Sequence, residues 1–173
     1  MFKDDARKSL LQKRQNLSQT ECIKWDDLLL IQFQKFDFTN ILTIGSFYPI
    51  EKHNEPNTIL LTSYLQQFIP DLIIAYPVID KTLGTMQFHE ATPNLHLNVM
   101  GIYEPHQINL IPSNDIDCFL VPLLGFDLLG HRLGFGKGYY DKYFSTCHHP
   151  HHRIGISYFD PIPNIQDTHE FDV

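Results

Sequence analysis

No run of apolar residues in this sequence approaches the roughly 20 that a helix needs to cross a bilayer. The first eleven residues carry Lys3, Asp4, Asp5, Arg7 and Lys8 where a secretory leader would be apolar. Neither membrane insertion nor export is expected, which leaves the cytoplasm. Cysteine is scarce: Cys22, Cys118 and Cys147 form an odd set with no CxxC spacing, and they read as reduced thiols instead of a disulfide framework. Positive charge is also short, since 13 Lys and Arg stand against 20 Asp and Glu for a formal net charge of -7. That balance argues against a general affinity for nucleic acid, and an anionic ligand must be met by local cations. Internal repeats and low-complexity linkers are missing too, so nothing marks a second domain. One domain over residues 1–173 is expected, with a hydrophobic content of 43% sufficient for its core. A monomer is expected as well.

What is present alternates between two periodicities. Lys3 to Gln15 contains neither Gly nor Pro and reads as a charged, partly solvated helix, with Arg7 and Arg14 about two turns apart on one face. Ser18 with Glu21 has the form of a capping box, and Trp25, Leu28, Leu29, Phe33 and Phe36 follow at amphipathic helical spacing. A further helix is expected from Thr58 to Phe68, ahead of Pro70. Strands are expected at Ile41 to Phe47, Leu72 to Tyr76, Met86 to His89, Ile116 to Leu124 and Arg153 to Tyr158. Leu72 to Tyr76 and Ile116 to Leu124 are nearly continuous apolar runs, as in strands buried on both faces. The alternation implies an α/β fold with a mainly parallel sheet. His148, His149, His151 and His152 around Pro150 read as a polar surface turn, because no Cys or acidic ligand set is spaced with them.

The chemistry is concentrated between Asp117 and Phe144, where a buried strand breaks into a loop with Gly130, Gly134, Gly136 and Gly138 and continues as a helix from about Tyr139. Alternating glycines permit positive φ and let successive N–H groups approach a ligand closely. Such amides beside a helix start form a phosphate cradle. Arg132 and Lys137 add positive charge, and Asp141 offers a hard oxygen ligand where Mg²⁺ bridges nucleotide phosphates. The pattern is not a P-loop: Lys137 is followed by Gly138, and the first glycine of that motif would fall at His131. Nor is it the dinucleotide fingerprint, since the third glycine comes one residue early. Taken alone, the glycines are also compatible with an ordinary tight turn.

Val121-Pro122, Phe126-Asp127, Gly130, Arg132-Leu133-Gly134, Gly136 and Gly138-Tyr139-Tyr140-Asp141 together resemble the signature of the 5-formyltetrahydrofolate cyclo-ligases, or methenyltetrahydrofolate synthetases. Lys3 and Arg7, the helix end at Arg14 to Ser18, Tyr48, Glu55-Pro56-Asn57-Thr58, Met86 with Phe88, and Gly101-Ile102-Tyr103-Glu104-Pro105 extend the likeness. The resemblance implies a three-layer, Rossmann-like domain with folate and ATP across the carboxyl ends of the strands. It implies that ATP is held by Lys3, Arg7, Arg132, Leu133, Gly134, Phe135, Gly136, Lys137, Gly138, Tyr139 and Tyr140, with Arg132 and Lys137 catalytic. By the same likeness Ile50, Glu55 and Tyr140 face the folate, and Asp141 holds Mg²⁺. A second acidic ligand that the family carries near its end is not singled out among Asp167, Glu170 and Asp172.

The implied reaction phosphorylates the formyl oxygen of 5-formyltetrahydrofolate and closes the ring through N10. An amide oxygen has no proton to lose, so charge neutralisation and positioning are what the site must supply. Phe47, Tyr48, Phe126, Tyr139 and Tyr140 are available for the flat slot that a folate needs. Two alternatives remain at this level: a sugar-phosphate isomerase or transferase on a related sheet, and a non-catalytic folate or nucleotide carrier.

Overall fold

The computed structural model describes residues 1–92, 95–98, 101–105 and 109–166. In chain order the elements are α1 (Lys3–Gln15), α2 (Gln19–Phe33), β1 (Thr43–Gly45), α3 (Thr58–Gln66), β2 (Ile73–Asp80), β3 (Thr85–Glu90), β4 (Leu95–Leu97), β5 (Tyr103–Pro105), β6 (Leu110–Ile111), β7 (Cys118–Pro122), β8 (Gly125–Phe126), β9 (Arg132–Leu133), α4 (Tyr139–Ser145) and β10 (His152–Ile156). Short 3-10 turns occur at Glu51–His53 and Ser113–Asp115. The capping box forms: Ser18 Oγ accepts from the Glu21 N–H, and the Glu21 carboxylate accepts from the Ser18 N–H at 2.8 Å. The buried side of α2 runs through Cys22, Trp25, Leu29 and Phe33, whereas Leu28 is exposed to solvent.

The main sheet has the order β10-β7-β1-β2-β3-β6. β10, β7, β1 and β2 are parallel, and β3 and β6 add on antiparallel. This is the mainly parallel α/β sheet that the sequence implies. Side chains of β7 alternate between its faces: Cys118 and Leu120 meet Leu61 and Leu65 of α3, while Phe119 and Val121 meet Phe144 of α4. Both faces are therefore covered, which is why this strand reads as an unbroken apolar run. Each fully buried Phe or Leu contributes on the order of 1.5–3 kcal/mol. Ala6 and Leu10 of α1 pack on Leu124, Leu133, Tyr158 and Ile165, beyond the carboxyl ends of β7 and β10.

Several expectations need correction. The strand expected at Ile41 to Phe47 is reduced to three residues. β2 continues through Pro77 to Asp80, because its second half pairs with β3 in a hairpin that sets Pro77 opposite Phe88. The histidine segment is not simply a surface turn. His151 stacks on Phe144 at 5.8 Å, and His152 opens β10. Among the described residues no group of His, Cys, Asp or Glu could hold a metal ion by itself, and no helix is long and apolar enough to cross a membrane.

Candidate active site

Where β7 ends at Pro122, β8 and β9 form a two-rung hairpin pairing Gly125 with Leu133 and Phe126 with Arg132. Asp127, fully buried at its tip, makes this shape possible. Its carboxylate accepts from the N–H groups of Leu129, His131 and Ile165 at 2.9–3.0 Å and faces the His131 ring at 3.0 Å. Burial pushes the carboxyl up, but these donors outweigh it and hold the group at about 2. The hairpin delivers Arg132 and the glycine loop to the mouth of the sheet, where α4 begins after Gly138.

That loop closes one wall of a cavity of about 330 Å³. Its floor comes from the strand ends, including Phe47, Pro77, Met86, Val121 and Pro122, and Lys3 and Arg7 reach it from the start of α1. Of the residues assigned to ligands from the sequence, all line the cavity except Leu133. The Leu133 side chain lies wholly in the core against α1, so only its backbone remains for a nucleotide. Phe126 also departs from the expected slot, lining a smaller neighbouring cavity with Leu123, Gly130 and Gly155. Asp167, Glu170 and Asp172 lie outside the described residues.

Charge in the cavity opposes that of the whole chain, with Lys3, Arg7, Arg132 and Lys137 set against Glu55 and Asp141. Arg7 donates from Nε to the Gly134 carbonyl at 3.1 Å and pairs with Asp4 at 2.7 Å. Arg132 is fixed by an ion pair with Asp141 and by the Phe144 ring, 5.3 Å from its guanidinium carbon. Lys3 is buried, so α1 is less solvated than its charge implies. Gly136 sits at φ 81, and a Cβ there would meet the Arg7 guanidinium at 3.3 Å. Gly134, by contrast, has an ordinary φ and open space beside it, so the expectation of positive φ fails at that glycine.

The remaining wall is apolar and aromatic. Tyr48 packs at 4.9 Å on Tyr103 and 5.9 Å on Tyr76, near Ile50. The Tyr140 hydroxyl is buried without a hydrogen-bond partner, and burial pushes it far above its usual range. Glu55 is buried in the same wall and accepts from the Ile50 N–H at 2.9 Å. It does not cap α3, because Asn57 does so by accepting from Leu60 N–H. Two neighbours were not assigned to the site from the sequence. His53 stacks on Phe135 at 5.5 Å with Nδ1 buried and unpaired, and Arg14 lies beneath it, donating to its carbonyl. Arg14 reads in the sequence as a charge seven residues after Arg7 on one helix and as the start of the family-like helix end at Arg14 to Ser18.

The model of the 5-formyltetrahydrofolate cyclo-ligase family matches residues 2–158. The chain belongs to this family. It is 31% identical over 160 residues to the 5-formyltetrahydrofolate cyclo-ligase of Mycoplasma pneumoniae (strain ATCC 29342 / M129 / Subtype 1), covering 91% of this chain and 86% of that protein. The solved structure of a 5,10-methenyltetrahydrofolate synthetase from Mycoplasma pneumoniae superposes with a TM-score of 0.76 at 28% identity, over 100% of this chain and 94% of that one. The Aquifex aeolicus 5,10-methenyltetrahydrofolate synthetase gives 0.73 at 27% identity, over 90% and 77%. Cyclo-ligase membership implies a ligase of folate metabolism with ATP as co-substrate. The isomerase or transferase and carrier alternatives lose their footing with it.

Proposed function

We propose that residues 1–173 form one cyclo-ligase domain that converts 5-formyltetrahydrofolate and ATP, with Mg²⁺, to 5,10-methenyltetrahydrofolate, ADP and phosphate. It works in the cytoplasm as a monomer, without nucleic acid or membrane. The observation that carries this reading is the cavity itself: a glycine loop with four cations shares one space with an aromatic wall holding a buried carboxylate. The first fits a polyphosphate and the second a flat heterocycle.

The formyl oxygen attacks the γ-phosphorus, and the bond from that phosphorus to the bridging oxygen of ADP breaks. N10 then adds to the formyl carbon, the carbon–oxygen bond breaks with phosphate leaving, and the N10 proton passes to water. Arg132 and Lys137 spread charge on the transferring phosphoryl group. Lys3, Arg7 and the Gly134 to Gly138 backbone hold the rest of the nucleotide, while Ile50, Glu55 and Tyr140 orient the folate. Asp141 is the residue that would hold Mg²⁺. A single carboxylate suits an ion bound largely through nucleotide phosphates, and Arg132 occupies that carboxylate here. When bound, Mg²⁺ supplies positive charge to the phosphate oxygens.

The deciding experiment is an assay for near-ultraviolet-absorbing methenyl product from purified protein with both substrates. Product that depends on both ATP and Mg²⁺ is expected. Its formation at the same rate without ATP would overturn the proposal.

A further inference from the structure

The guanidinium of Arg14 is almost wholly removed from water, at 2% exposure. Burying such a charge costs several kcal/mol unless its donors are filled, and here two of its three nitrogens donate. Nε donates to the His53 carbonyl at 2.8 Å, Nη1 donates to the Leu123 carbonyl at 3.2 Å, and the group lies 5.3 Å from the centre of the Phe135 ring. Asn54, in the left-handed region at φ 47, strengthens the junction by donating from Nδ2 to the Arg14 and Leu17 carbonyls. The end of α1, the carboxyl end of β7, the glycine loop and the 50–55 turn therefore meet at one side chain.

One nitrogen is left over. Nη2 has no hydrogen-bond partner and points at Glu55 Oε1 from 3.6 Å, too far for a bond. Among the described residues, Glu55 Oε2 accepts from the Ile50 N–H, while Oε1 faces the guanidinium from that distance. A half-satisfied buried pair is costly in a structural core, but the Glu55 half of this one lines the cavity. An N–H donor on a ligand would give its carboxylate a further partner.

We infer that Arg14 is the positioning residue of the folate wall, holding the 50–55 turn and the Glu55 carboxylate so that Oε1 is presented to an N–H donor of the heterocycle. The inference rests on the folate reading of this cavity. Arg14 itself does not reach the ligand, being covered by His53 and Phe135. Other titratable groups couple to the pair from several sides: Cys22 on α2, His53 on the turn, Tyr140 on α4, and Tyr158 after β10, while Lys52 acts on His53. Burial pushes the Glu55 carboxyl up, while the Ile50 N–H and Arg14 pull it down. Removing Arg14 must raise it further.

The test uses the full chain with Arg14→Met, Arg14→Lys, Glu55→Gln and the Arg14→Met/Glu55→Gln double variant. Arg14→Met should raise KM for 5-formyltetrahydrofolate about tenfold at saturating ATP, the loss expected for one charge-assisted hydrogen bond, with KM for ATP nearly unchanged. The acid limb of kcat/KM for the folate should move to higher pH in Arg14→Met and return towards wild type in Arg14→Lys. In Glu55→Gln that limb should vanish, and adding Arg14→Met should then change the folate KM little. Equal losses for ATP and folate, or a lowered melting temperature with an unmoved acid limb, would overturn the inference. If Arg14→Met does not fold, Arg14→Gln, which removes the charge but keeps an N–H donor, carries the same measurements. If wild type forms no methenyl product, the folate reading fails by itself. Carboxyl ¹³C NMR of Glu55 in the unliganded protein then decides: a raised titration midpoint in Arg14→Met supports the link, and an unchanged one refutes it.

Discussion

Replacing Gly136 by alanine perturbs a single backbone position of the phosphate loop, and neighbouring Gly134 provides the control. At φ 81 an L-residue costs roughly 1–2 kcal/mol. The new Cβ would also lie 3.3 Å from Arg7, whose Nε–H holds the Gly134 carbonyl at 3.1 Å. Phe135, Gly136 and Lys137 are exposed, so the unliganded loop relieves the strain by shifting, and nucleotide binding must restore the original shape. The cost consequently falls on ATP. At 1.4 kcal/mol per factor of ten, KM for ATP should rise about 5- to 30-fold, with the folate KM and the melting temperature almost unchanged. Gly134→Ala should alter neither KM by more than about twofold, because its φ is ordinary and its Cβ meets nothing within 4 Å. The measurement is the initial rate of methenyl formation, with ATP varied at saturating folate and then the reverse. Equal damage from the two substitutions, or an ATP KM unmoved in Gly136→Ala, would refute the cradle.

Asp141→Asn should keep the fold yet raise the Mg²⁺ concentration for half-maximal rate about 10- to 100-fold, the loss of one contact to a charged group; a metal titration at near wild-type midpoint would reject the ligand role. Asp127→Asn should cost about 2 kcal/mol at neutral pH, because the folded carboxyl titrates at about 2 against an ordinary 3.8. A depressed pKa contributes stability above pH 3.8 that is lost as pH falls through 2, so the gap between wild type and variant in urea denaturation should close on acidification; a constant gap would disprove the account. With ¹⁸O in the formyl group, one label should appear in phosphate per methenyl formed. Label found in water, with unlabelled phosphate, would replace phosphoryl transfer by simple dehydration while leaving the substrates standing.

Local terms made much of this protein legible in one dimension. Ser18 and Glu21 announce α2 because a capping box satisfies N–H groups three residues apart. The run Ile116 to Leu124 announces a strand covered on both faces. Gly134, Gly136, Gly138, Arg132, Lys137 and Asp141 fall within ten residues, and the cavity gathers them because a short hairpin and one helix turn suffice to do so. What only the tertiary structure decided lies at longer range. Leu133 and Gly134 are adjacent in the same motif, yet the β8–β9 pairing turns one into the core and leaves the other beside open space. Arg7 and Arg14 share a helix face by periodicity, but Arg7 stays partly exposed while Arg14 is engulfed. Its partners His53 and Leu123 stand 39 and 109 residues away in sequence. Helical spacing reports which side of α1 a charge is on, whereas burial depends on what the rest of the chain packs against that side.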